Sequence, residues 1–282
     1  MKKIVVLFLL GMIMLTCWTS EGRAETGKNK TGKNDPSKSA ALNKQREEDA
    51  ADAVLNKYRD IADQIHSKGM DDLDPIVRNG VIPPFGRESK DYDGKPYYYA
   101  SECHYIETCG DNWEHTGITR RDITGDGTKE LLIGYYDEGA DKADKPTSLF
   151  AAYSVKGGKI QTIFQGWSRS VYYLSKDGSI IHTGSGGAFT YTITNYKLVE
   201  DKEGLLVLQE TETVAADGLA NPEKPFTYYP EGRKLTGYDE YDEPEYSSEN
   251  ALQMDEKTGN GQYQKLFSKA VPVKLQPFPG KR

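Results

Sequence analysis

From Lys129 to Val214 the chain repeats one local pattern: a run of six to twelve residues rich in β-branched and aromatic side chains, then a short glycine-bearing turn. The runs fall at 129–136, 147–155, 159–165, 170–175, 179–184, 188–199 and 204–214. That composition and punctuation predict strands. Phe189, Tyr191, Ile193 and Tyr196 show how rings and branched chains fill them, as a pleated surface favours. The connections at Lys156 to Gly158, Lys176 to Gly178 and Asp201 to Gly204 are hairpin-sized, so neighbouring strands should be antiparallel and the whole should form a meander.

Upstream the period changes. Ala51, Val54, Leu55, Tyr58, Ile61, Ala62 and Ile65 recur at steps of three and four, and Leu42 extends the same stripe. This predicts one amphipathic helix over residues 41–66, ended by Gly69 and the Asp74-Pro75 pair. Residues 81–111 are rich in Pro, Gly and Tyr without a period and read as a long loop. After residue 216 the signal weakens to a strand at Phe226–Tyr229, a short helix near Gln262–Ser268, and an extended run from Val271 to Phe278. The prolines of that last run confine it to an edge or a terminus. The expected fold is α+β, an N-terminal amphipathic helix packed on a curved antiparallel β-meander. Nothing rich in Pro, Gly or Ser divides residues 40–282, so they are expected to form a single domain.

The front of the chain bears on compartment. Lys2 and Lys3 precede an apolar run from Ile4 to Leu15, in the order of an export signal. A stable span needs about 20 apolar residues, so this run is too short to cross a bilayer. Gly22 and Ala24 are the small residues that favour cleavage after position 24, making residues 1–24 a signal peptide. The alternative is lipid attachment at Cys17, although the residues before it, Met14 to Thr16, match a lipoprotein signal poorly. Attachment to a membrane is expected only through a lipidated Cys17. Residues 25–39 are polar, with Thr26–Asn29 repeated at Thr31–Asn34, and read as a flexible linker. The expected location is secreted or in the cell envelope.

A net charge of −7 argues against nucleic acid as a partner. In an oxidising compartment Cys103 and Cys109 are expected to close a disulfide. Zinc is the sharper alternative, since Cys103, His104, Cys109 and His115 crowd together, but their spacing fits no familiar zinc pattern.

The richest chemistry precedes the first strong strand. Calcium wants six to eight oxygens, which alternate residues of a tight loop supply well. Asp122, Thr124, Asp126, the Thr128 carbonyl and Glu130 stand at positions 1, 3, 5, 7 and 9 of such a loop, with Gly127 at the sharp turn. Position 12 of an EF-hand would be Glu, and here it is Ile133 in a strand-like stretch, so the loop is not an EF-hand. Asp-Gly pairs also make turns with no metal at all. The loop resembles the calcium loops of FG-GAP and related secreted β-proteins, in which the loop feeds a strand. Over about residues 120–200 the chain is also similar to secreted proteins of anaerobic bacteria whose function is unassigned. The matching pieces are Asp122–Gly134, Val171–Leu174 and Gly184–Gly187, with Val273–Phe278 beyond them. The resemblance implies calcium as a cofactor and no catalytic signature. Thr124 departs from it, offering a neutral hydroxyl where Asp or Asn is usual.

Other segments read more plainly. Gly184–Gly187 lacks both the nucleophile-elbow glycine and the protease Asp, and so predicts a hairpin turn. Tyr238–Tyr246 gathers five acids and three tyrosines, most simply as a solvated loop. Tyr97, Tyr98 and Tyr99 could contact a sugar or peptide or fill a core. His66 and His182 look isolated and structural. No catalytic residue is assigned. The expectation is a binding or structural module for an unknown ligand, glycan or peptide, rather than an enzyme. The competing class is a secreted hydrolase of cell-wall or dietary polymers, for which two facing acids or a His-bearing dyad would speak.

Overall fold

The structure, a computed structural model, describes residues 36–68, 89–90, 96–97, 115–136, 145–166, 169–187, 190–218, 221–238, 244–247 and 249–278. It is mostly antiparallel β-sheet with a few helices. In chain order these are α1 (Pro36–Lys68), β1 (Ser89–Lys90), β2 (Pro96–Tyr97), β3 (Thr116–Arg121), β4 (Glu130–Tyr135), β5 (Leu149–Ser154) and β6 (Gln161–Gln165). They continue with β7 (Ser170–Leu174), β8 (Ile180–Ser185), β9 (Thr190–Glu200), β10 (Leu206–Asp217), β11 (Phe226–Tyr229), β12 (Leu235–Tyr238) and β13 (Pro244–Tyr246). The last are β14 (Leu252–Met254), α2 (Glu256–Phe267) and β15 (Gln276–Pro277).

One sheet carries the order β14-β11-β10-β9-β8-β7-β5-β4-β3-β15, with β6 also paired to β5. Hairpin connections make sequence neighbours into sheet neighbours, as the short glycine turns require. There are three exceptions: β14 joins β11, β15 joins β3, and the far edge of β5 is shared, Ala151–Ser154 pairing with β6 while Leu149 pairs with Tyr172 of β7. Gln161 then ties the start of β6 to the start of β10. Its Nε2 donates to the Leu206 carbonyl at 2.7 Å, and its Oε1 accepts from the Leu206 amide at 3.1 Å.

Strand alternation divides the apolar residues between two faces. Leu131 and Ile133 join Phe150, Ala151 and Tyr153 against Ala51, Val54, Leu55 and Tyr58 of α1. The Tyr58 and Tyr153 hydroxyls meet at 2.8 Å inside that cluster, which satisfies two polar atoms that burial would otherwise penalise. Leu132, Leu149, Ala152, Phe164, Leu174 and Ile180 face the other way, together with Val273 and Leu275 of the C-terminal run. A third cluster seats α2 on β8–β11 through Leu266, Ile181, Ile193, Val214 and Phe226. Full burial of each such side chain contributes roughly 1.5–3 kcal/mol, so these clusters rather than propensity hold the elements together.

From β4 to β11 the expected strands differ from the observed ones by at most three residues at any end, α1 runs a few residues past both expected limits, and the extended run expected from Val271 to Phe278 narrows to β15 at Gln276–Pro277. Two differences have identifiable causes. β3 went unanticipated because its sequence has no clear alternation; pairing with β4 and β15 makes it a strand. α2 begins at Glu256, several residues early, because the Asp255 carboxylate caps it, accepting from the Thr258 amide at 2.8 Å. Gly259 hides its periodicity, and a Cβ there would overlap the Phe226 ring, so glycine is what lets the helix sit this low. The acidic segment expected to be a loop ends in the antiparallel pair β12 and β13. Within the expected long loop, β1 and β2 pair.

Candidate functional site

The loop between β3 and β4 is organised by its own carboxylates. Asp122 accepts from the Gly125 amide at 2.6 Å, from the Gly127 amide at 2.9 Å and from the Thr124 hydroxyl at 3.3 Å. Gly125 and Gly127 both have positive φ, at 79° and 89°, which only glycine adopts without cost. Asp126 accepts from the Thr128 amide at 2.8 Å, and its second oxygen holds the Lys156 ammonium at 2.8 Å. Lys156 lies in the turn between β5 and β6, so the contact ties the loop to the neighbouring hairpin. Glu130 is buried at the start of β4 and accepts from the Ile123 amide at 2.9 Å.

These surroundings pull the three acids apart. The Lys156 ammonium holds the Asp126 carboxyl down to about 2. Partial desolvation works to raise Asp122, but the Gly125 and Gly127 amides outweigh it and the carboxyl lies below its ordinary value. Burial raises Glu130, the Ile123 amide offsets only part of this, and the charges of Asp126 and Asp122 push it further. The structure thus brings Asp122, Thr124, Asp126, Thr128 and Glu130 into one hydrogen-bonded turn. Among the described residues, no three His, Cys, Asp or Glu side chains stand close enough together to hold a metal ion. Cys17, Cys103, Cys109, His104 and His66 lie outside the residues whose side chains are described. His115 stacks on Tyr135 with ring centres 5.5 Å apart, and its Nδ1 is 3.3 Å from the Tyr136 carbonyl.

A second polar centre had no signature in the sequence. β10 carries a register shift between Glu210 and Glu212. In an unbroken strand these two would share a face; the shift sends them to opposite faces. Glu210 pairs with Tyr196, and Glu212 with Asn195. Glu210 accepts from the Arg233 amide at 3.0 Å, from Arg233 Nε at 3.1 Å, from its Nη2 at 2.5 Å and from the Thr213 hydroxyl at 3.1 Å. The Arg233 guanidinium also lies 4.3 Å from the centre of the Tyr246 ring, joining β13 to the same knot. Gly232, at φ 75°, passes so close to the Glu210 backbone that a Cβ would come within 2.8 Å of it. On the other face Glu212 accepts from the Tyr228 hydroxyl at 2.6 Å, Gln262 Nε2 at 2.8 Å and the Lys269 ammonium at 3.4 Å, which fastens α2 and the turn after it.

Beside this knot, His182 is not isolated as its sequence context suggested. Its Nε2 lies 2.8 Å from the Ser170 hydroxyl, and its ring packs 4.6 Å from that of Tyr172. Burial, with the Arg233 charge adding to it, lowers the imidazole to about 4, so it is neutral at ordinary pH. The Gly184–Gly187 stretch leaves β8 toward β9 as a turn, with the Ser185 hydroxyl donating to the Gly187 carbonyl at 3.0 Å. That hydroxyl serves the turn.

No helix among the described residues is long and apolar enough to cross a membrane. No protein-family model matches the chain, and neither the curated proteins nor the solved structures compared with it give a match.

Proposed function

We propose that this is an exported or envelope-associated protein in which calcium stabilises the loop Asp122–Glu130, and that it acts as a binding or structural module. In this reading α1 packs on a curved meander, residues 1–24 direct export, and Cys103 and Cys109 close a disulfide. The observation that carries the proposal is the electrostatic state of the loop. Three carboxylates share one turn, Glu130 is raised by burial and by its two acidic neighbours, and a lysine ammonium sits on Asp126. A divalent ion would relieve that repulsion more completely than Lys156 does. Calcium would bind by displacing the ammonium and drawing the acids inward, and affinity of about 10⁻⁴–10⁻³ M would suffice outside a cell.

The hydrolase reading would use Ser170 and His182. An imidazole lowered to about 4 is a weak general base, and no carboxylate hydrogen-bonds its other nitrogen among the described residues. Binding therefore accounts better for the centre.

Thermal melts with and without about 5 mM CaCl₂, a concentration above the extracellular range, test the proposal on wild type and Glu130→Gln. Without calcium the variant should melt at or above wild type, because it removes a buried charge while keeping an acceptor for the Ile123 amide. With calcium only the wild type should gain stability. A wild-type melting temperature indifferent to calcium would remove the metal from the account.

A further inference from the structure

The turn that joins β5 to β6 touches two neighbours at once. Its Lys156 places an ammonium 2.8 Å from Oδ2 of Asp126, the oxygen left over when Oδ1 accepts from the Thr128 amide. Its next two residues meet α1. The Gly157 amide donates to the Glu47 carboxylate at 3.3 Å, and Gly158, at φ 79°, passes so close that a Cβ there would lie 3.0 Å from Arg46 Cβ. Val155, just before the turn, is buried in the cluster beneath α1. The base of the lysine is thus held by the helix and the core, while its side chain is 59% exposed and leaves its stem free to swing.

A charge on a short stem with a fixed base acts at a high effective concentration, because its return to the carboxylate is intramolecular. A free cation arriving at the same oxygen has to compete with it. Two cations at one carboxylate also repel each other across a few ångströms. The influence of the ammonium extends past Asp126: the hydrogen bond to Asp126, with the charges of Asp126, Glu200 and Glu130, holds Lys156 above its ordinary value. The loop therefore already carries a cation, and a different element of the fold supplies it. An ion pair this exposed adds little to stability. Its effect falls on whatever else would occupy the same oxygens.

We propose that Lys156 is a built-in competitor of the loop's cation: its ammonium occupies Asp126 when calcium is scarce and withdraws when calcium binds, so the β5–β6 turn sets the concentration at which the loop loads. This rests on the calcium reading of Asp122–Glu130 and adds its regulation. NMR of the Gly125 and Gly127 amides during titration with CaCl₂ tests it on wild type, Lys156→Met and Lys159→Met. The last removes the same charge from the exposed end of the same turn. Lys156→Met should bind calcium about tenfold more tightly than wild type, because no ion pair has to be broken and no ammonium repels the ion. Lys159→Met should stay within about twofold of wild type, since a solvated charge farther along the turn is screened. In wild type the Lys156 side-chain resonances should move at the same calcium midpoint as the two glycine amides. Calcium binding by Lys156→Met alone would also support the competitor, with wild type fully masked. If wild type and Lys156→Met bind calcium equally well, the competitor is overturned while the calcium loop stands. Equal tightening by both lysine variants would overturn it too, leaving only the general field of the turn. No response to calcium in either wild type or Lys156→Met removes both readings.

Discussion

The loop at Asp122–Glu130 and the paired glutamates of β10 use the same chemical group in opposite ways. In the loop, carboxylates serve residues within a few positions of themselves, and the one long-range partner of Asp126 is a largely exposed lysine. In β10, Glu210 and Glu212 reach partners far along the chain, from largely buried positions, and each fixes a different element. An exposed ion pair contributes little, because water and salt do much of the work in its absence. A buried one is costly to break from one side, because the abandoned charge has nowhere to go. The loop therefore shapes a local turn, whereas the β10 knot holds tertiary structure.

That contrast sets an order of effects. Glu210→Ala should cost the most, roughly 3–4 kcal/mol, since it strands a half-buried guanidinium. Urea unfolding measures this, and an Arg233→Met, Glu210→Gln double variant should recover a good part of it. If Glu210→Ala were no worse than Asp126→Ala, the knot would be as peripheral as the loop. Next comes His182. Its folded value of about 4 lies below the ordinary 6.5, so between those values the unfolded chain binds the proton more readily. Its contribution is complete above pH 6.5 and disappears as pH falls toward 4, a loss on the order of 2–3 kcal/mol. His182→Phe should flatten stability over that window; an unchanged slope there would mean that another group titrates. The smallest effect belongs to Asp126 and Lys156. Lowered to about 2 from an ordinary 3.8, Asp126 gives its stability above pH 3.8 and loses it as pH falls toward 2, a lower window than that of His182. Lys156→Met should barely move the urea midpoint, and 0.5 M salt, which shortens screening to a few ångströms, should erase even that. A large, salt-insensitive loss would place the lysine with the buried pairs.

Much of the architecture could be read along the chain. α1 announced itself through the three- and four-residue spacing of Ala51 to Ile65, and the strands through glycine turns whose geometry needs no distant partner. The five oxygen-bearing residues from Asp122 to Glu130 were legible for the same reason, because they sit on adjacent turns of one backbone. β3 was invisible, since Thr116 to Arg121 becomes a strand through the strands it meets. Ser170 and His182 gave no hint of each other, because a cross-strand contact depends on register, and register is set by hairpins on both sides.

Local periodicity and turn chemistry, both short-range, settled that this chain builds hairpins, one long amphipathic helix and an acidic turn. The facing of Glu210 and Glu212, the neutrality of His182 and the lysine resting on Asp126 came only with folding. Each depends on which distant atoms share a few ångströms and how much water they exclude. A one-residue shift in β10 changes that outcome completely while leaving the local pattern almost untouched.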